Sequence, residues 1–135
     1  MRLVYLAALA VWLGGLLVLG GIAAPTIFAV AEAHDPASGR VLAGTMFGVV
    51  LARFHVVAAL CGLLMMAALV AMALIGPRPR PYAARLVVIG LMLLTTAVVA
   101  FPVGRGIARL HPLSNVLLLA NAAGGLLLLA WEARH

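Results

Sequence analysis

Charge is scarce in this chain. Of 135 residues only 9% are charged, three are acidic, one is cysteine and none is lysine. A soluble domain carries about a quarter charged residues and is about half apolar, whereas 67% of this chain is apolar. The shortage excludes a water-soluble globule, a disordered chain and a nucleic-acid module. The single thiol, Cys61, excludes an intramolecular disulfide. No internal repeat is present, and no Gly-rich phosphate loop, nucleophile–base–acid set or zinc-protease motif. Soluble-type hydrolysis therefore has no machinery here, and what remains is an integral membrane protein that is not expected to be an enzyme.

Uncharged apolar stretches run from Leu3 to Val30, Val56 to Ile75, Leu86 to Gly104 and Pro112 to Trp131. A spanning helix needs roughly 20 such residues to cross about 30 Å of hydrocarbon. The fold expected is all-α: an integral membrane four-helix antiparallel bundle, a single transmembrane domain over 1–135 with helices about 2–30, 41–76, 83–108 and 112–133. Ala29-Val30-Ala31 reads like a signal-peptidase site. The apolar region before it is far longer than the roughly 7–15 residues of a signal core, so it reads as a helix. Pro25 is expected to mark where that helix kinks or leaves the bilayer. From Val41 to Ala52 the chain is apolar and uncharged, either an extension of the second helix or a short interfacial helix. Three prolines in Gly76-Pro77-Arg78-Pro79-Arg80-Pro81-Tyr82 make a tight turn.

The nine basic residues are all arginine and give a formal charge of +6. They fall between the apolar runs, where arginines anchor helix ends and set orientation. With the N-terminus in the cytoplasm, Arg2, Arg78, Arg80, Arg85 and Arg134 lie inside; Arg40, Arg105 and Arg109 lie outside, with Arg53 near the outer interface. The excess predicts N-in, C-in in a bacterial-type inner membrane. Tyr5, Tyr82 and Trp131 would then share one interface.

Inside lipid, small residues mark helix contacts. The expected inward stripes are Ala7, Ala10, Gly14, Gly21 and Ala24; Gly48, Ala52, His55, Ala59, Gly62 and Met66; Gly90, Ala97, Phe101 and Gly104; and His111, Ser114, Leu118, Asn121 and Gly125. Two carry a histidine, and the last is polar for about three turns.

These polar positions supply the candidate sites. His55 and His111, with His34 and Asp35, form an outer cluster whose imidazoles and carboxylate suit copper or zinc. The same two histidines could hold haem from both sides, with Arg105 and Arg109 near the propionates. A shared metal predicts the two rings within roughly 4 Å of each other. The plainer account places each histidine at headgroup level and makes the arginines a snorkelling pair. Cys61, Met65 and Met72, with Met66 and Met92 nearby, could form a Cu(I) path, but methionine is also an ordinary core filler. Ser114, Asn121, Thr95 and Thr96 could line a solute path or bond across helices, at around 0.6 kcal/mol apiece.

Two segments carry a family resemblance. Val11-Trp12-Leu13-Gly14-Gly15, continuing to Ala24-Pro25-Thr26-Ile27-Phe28, resembles the opening helix of the transmembrane-protein-205-like family (domain of unknown function 4149). Ala108-Arg109-Leu110-His111-Pro112-Leu113-Ser114 looks like that family's Arg-x-His-x-x-Ser entry to its last helix, and Arg53-Phe54-His55 with Cys61-Gly62 is similar to its second. Leu118 stands where the resemblance leads one to expect an asparagine, with Asn115 and Asn121 on either side. The first-helix pattern is also similar to copper-resistance-D membrane proteins and HemJ-type protoporphyrinogen oxidases. The resemblance implies a four-helix membrane protein with copper handling or tetrapyrrole chemistry among its neighbours. Three functions follow: metal or small-solute handling through the outer histidines, a haem- or porphyrin-binding bundle, and an accessory subunit packed against other membrane proteins.

Overall fold

The computed structural model describes residues 1–76, 81–103 and 111–134, and the side chains of all of these except 100–103 and 111–115. The described residues are helical apart from turns. Helix α1 (Arg2–Val18) passes through a π-helical turn, Leu19–Ala23, directly into α2 (Ala24–His34). Helix α3 runs Gly39–Ile75, α4 Tyr82–Val103 and α5 His111–Ala133. Four helical stretches are long and apolar enough to cross a membrane: Arg2–His34, Gly39–Ile75, Tyr82–Val99 and Val116–Ala133.

Pro25 disturbs the first helix without ending it. Proline has no N–H to donate and its ring collides with the carbonyl four residues back. The chain opens into a wider π turn over the preceding Leu-Gly-Gly-Ile-Ala, which relieves the clash and lets the helix continue. The stretch from Val41 to Ala52 is continuous with α3, as nothing in it breaks a helix. Between α2 and α3, Asp35 makes the turn. Its Oδ1 accepts from the amides of Ala37 (2.9 Å) and Ser38 (3.3 Å), and its Oδ2 accepts from the Ser38 hydroxyl. These donors hold its carboxyl below the ordinary carboxylate range. Gly39 lies so close to the Ala31 carbonyl that a Cβ there would overlap it.

The bundle closes as a ring: α1 packs on α3, α3 on α4, α4 on α5, and α5 on α1. Its core is Tyr5, Leu9, Trp12 and Leu16 from α1, Ala58, Cys61, Met65 and Leu69 from α3, Ile89 and Met92 from α4, and Leu128 from α5. Tyr82 and Trp131 pack on this core, as does Met66. Cys61, Met65 and Met92 are therefore packing residues of the interior.

Burial corrects the phase of two stripes. On α1 the large face, Tyr5, Leu9, Trp12, Leu13 and Leu16, turns inward, while Ala7 and Ala10 are exposed and a Cβ on Gly14 would meet nothing within 4 Å. On α4 the inward row is Arg85, Ile89, Met92, Thr96 and Val99; Gly90 is open and Ala97 exposed, while the Phe101 side chain and Gly104 lie outside the described residues. On α3, Gly48 and Ala52 are exposed, but Gly62 is buried against Trp12 and Leu93. On α5, Asn121 and Gly125 face in as expected. Aromatic and leucine side chains space α1 from α3, and small residues seat those large ones: Gly15 receives the Phe54 ring, and Gly62 the Trp12 edge.

Candidate functional site: a polar pocket inside the bundle

Polar side chains meet at two levels. At the end carrying the N-terminus, Arg85 (1% exposed) donates to Glu132 Oε1, while Arg2 Nε and Nη2 both approach Glu132 Oε2 at 3.0 Å. The Arg85 guanidinium lies 5.9 Å from the Tyr5 ring centroid, within cation–π range. Two cations on one carboxylate tie α1, α4 and α5 together. The sequence reading passed over this cluster. Its signal was available: Glu132 is the one acid in the last helix, and a carboxylate beside an apolar span calls for a cation.

The second level holds a small cavity of about 10 Å³, room for about one water-sized group. Leu51, Phe54, His55 and Leu118, all half-buried, form its rim; Trp12, Leu16, Ala58, Thr96, Val99 and Asn121 form its buried floor. Thr96 Oγ1 donates to the Met92 carbonyl at 2.8 Å and accepts from Asn121 Nδ2 at 3.4 Å; Thr95 Oγ1 lies 3.0 Å from Asn121 Oδ1. Local bonding of threonine hydroxyls to their own helix explains how they sit in an apolar span. Trp12 differs. It is wholly buried and its Nε1 has no hydrogen-bond partner among the described residues. The Cζ3 edge, across the ring from that nitrogen, is the one against Gly62. A buried donor left without an acceptor costs about 1–3 kcal/mol.

Depth matters for chemistry. Arg85 meets Glu132 and Thr96 meets Asn121, so the two levels are separated by eleven residues of α4, about 16 Å along its axis. That is about half of a 30 Å hydrocarbon layer.

The sites expected from sequence come apart. His55 lines the pocket; Asn121 and Thr96 do so too. His34 ends α2, exposed, and Asp35 is engaged in the turn. From there to His55 is sixteen residues of α3, about 24 Å, so the hairpin tip and His55 do not share an ion. His111 opens α5, but its side chain lies outside the described set, as do Ser114 and the residues Arg105 and Arg109. The separation between the His55 and His111 rings thus also falls outside the described residues. Among the described residues no group of three or more His, Cys, Asp or Glu side chains is arranged to hold a metal.

Bundle and pocket together define a multi-pass helical membrane protein with a neutral polar site among its helices. The family model described as "Domain of unknown function (DUF4149)" matches residues 7–115, most of the chain, and the protein belongs to that family. Neither the curated proteins nor the solved structures contain a match.

Proposed function

We propose that this protein handles a small solute through the pocket formed by Trp12, His55, Thr96 and Asn121. The observation that carries the reading is the buried Trp12 Nε1, a donor left without an acceptor beside a cavity whose floor is otherwise hydrogen-bonded. Natural interiors seldom leave such a group unsatisfied, so a site that binds something there gives the orphan donor a purpose. Small-solute handling is favoured over copper or zinc, because His55 stands among neutral amide, hydroxyl and indole groups, a weak set for a divalent ion. Haem coordination would need His55 with His111 and a far wider opening; Arg105 and Arg109 would serve its propionates only in that arrangement. The likeness of the first helix to copper-resistance-D and HemJ-type proteins is the support those two readings retain.

The pairing of Arg85 with Glu132 and Thr96 with Asn121 supports an antiparallel bundle. Arginine counting supports N-in, C-in in a bacterial-type plasma membrane. The test is thermal unfolding of purified protein with copper(I), with zinc and with small neutral amides and alcohols. A ligand at 100 times its Kd adds about 2.7 kcal/mol of stability. A neutral solute should raise the midpoint of the wild type and not of Asn121→Leu. Stabilisation by metal alone, or equal shifts in both proteins, would overturn the reading.

A second reading, an accessory subunit, is favoured by one observation. Helix α3 is 37 residues, about 55 Å, whereas α4 and α5 are 22 and 23 residues, about 33–35 Å each. The hairpin of α2 and early α3 leaves Val30, Val41, Leu42 and Met46 exposed, an apolar surface suited to another membrane protein.

A further inference from the structure

We infer that the pocket receives the carbonyl oxygen of a lipid-soluble ligand, entering sideways from the hydrocarbon phase. The inference rests on the small-solute reading of the same site and names its ligand class. Among the described residues the floor holds a buried donor whose hydrogen is unused. Trp12 Nε1 has no acceptor, and the Asn121 amide carries two hydrogens, of which one is given to Thr96. The complement of such a floor is an acceptor atom.

Among the described residues no carboxylate, lysine or arginine lines the pocket, and its one ionisable group is the His55 imidazole. An ion would be stripped of water there without compensation, so the ligand is neutral. The volume, about 10 Å³, admits about one heavy atom. The rest of the molecule must then lie along the rim, where Leu51, Phe54 and Leu118 offer an apolar path to the outside of the bundle. Thr96 lies about 16 Å along α4 from Arg85, far from the ionic end and within the apolar span Tyr82–Val99. A molecule already dissolved in lipid reaches that depth at no desolvation cost. Two sources share the chemistry: the ring carbonyl of a quinone and the ester carbonyl of an acyl lipid.

The full-length protein in lipid nanodiscs separates them. The readout is the indole N–H resonance of Trp12, assigned by its persistence in Trp131→Phe. In the quinone arm, decylubiquinone is titrated into ether-linked lipid, which carries no ester carbonyl. In the ester arm, ether-linked and ester-linked nanodiscs are compared without quinone. A saturable downfield shift in either arm supports the inference and names the source. Thr96→Val and Asn121→Leu should weaken the response about tenfold, the consequence of losing about 1.4 kcal/mol of hydrogen bonding. An unmoved resonance in both arms, or an equal shift in Asn121→Leu, overturns it. Should the resonance instead respond to a water-soluble alcohol and to neither carbonyl source, the lipid-borne ligand is wrong and the small-solute reading stands. A resonance that answers to nothing removes both.

Discussion

Gly62 of α3 packs against both α1, at Trp12, and α4, at Leu93. A Cβ there would stand 2.7 Å from Trp12 Cζ3 and 2.5 Å from Leu93 Cδ2, inside any tolerable contact. The Trp12 ring is fully buried in the core, so it yields only by displacing the side chains packed on it. Gly62→Ala should therefore cost about 1–3 kcal/mol, the range for overpacking an interior. Gly14 provides the control, since a Cβ there meets open space; Gly14→Ala should be neutral or add up to about 1 kcal/mol, because glycine is the poorer helix residue. Unfolding midpoints in one detergent decide this. Equal effects of the two substitutions would mean that α1 packs through its small face after all. That face was the one the small-residue rule selected from sequence. The rule failed because α1 is apolar all round: without a polar residue to fix the phase, both faces are admissible, and Tyr5, Trp12 and Leu16 fill a wide gap better than alanines do. Where a polar group sits mid-helix, as at His55 and Asn121, the inward face was legible.

At the scale of elements, one carboxylate joins the chain's first helix to its last. Glu132 receives Arg2 from α1 and Arg85 from α4, and Arg85 is all but buried. Removing one partner of a buried ion pair is destabilising, by about 3–5 kcal/mol. Glu132→Leu should lower stability by that amount. Pairing it with Arg85→Met should recover much of the loss, because replacing both charges with apolar side chains is often close to neutral. Arg2 can turn to the interface, since its side chain is 59% exposed. A double variant as unstable as the sum of the singles would show that the residues act independently. The sequence reading assigned Arg2 and Arg85 only to orientation counts. It missed their shared partner because Arg2 and Glu132 stand 130 positions apart, beyond any helical spacing. The π turn before Pro25 was equally hidden: a proline predicts disturbance, but not whether a helix ends, bends or widens.

For the whole molecule, the open issue is how a bundle with two long and two short helices sits in a bilayer. About 20 residues cross the hydrocarbon. If the Arg2–Arg85–Glu132 level lies at one boundary, the other falls near the π turn of the first helix, the pocket floor at Trp12 and Thr96 lies about midway, and the rim at Leu51 lies between that floor and the second boundary. The hairpin tip, with Glu32, His34, Asp35 and Arg40, then stands in water together with exposed Val30 and Val41. In the proposed N-in, C-in orientation that tip lies outside the cell and the Arg2 end inside. Cysteine labelling tests depth and orientation together, because Cys61 is buried and the sole thiol to remove. In a Cys61→Ala background, Val41→Cys and Ala33→Cys should react with a membrane-impermeant maleimide on intact cells. Ala83→Cys, at the start of α4, should react only after permeabilisation. Labelling of Ala83→Cys alone would invert the topology. Labelling of Ala33→Cys with Val41→Cys silent would place the hairpin's apolar flank in lipid or beneath another protein. Chain-length lipids separate those two cases: thicker bilayers should leave a protein-covered site unchanged, and should further shield a site that lipid alone conceals.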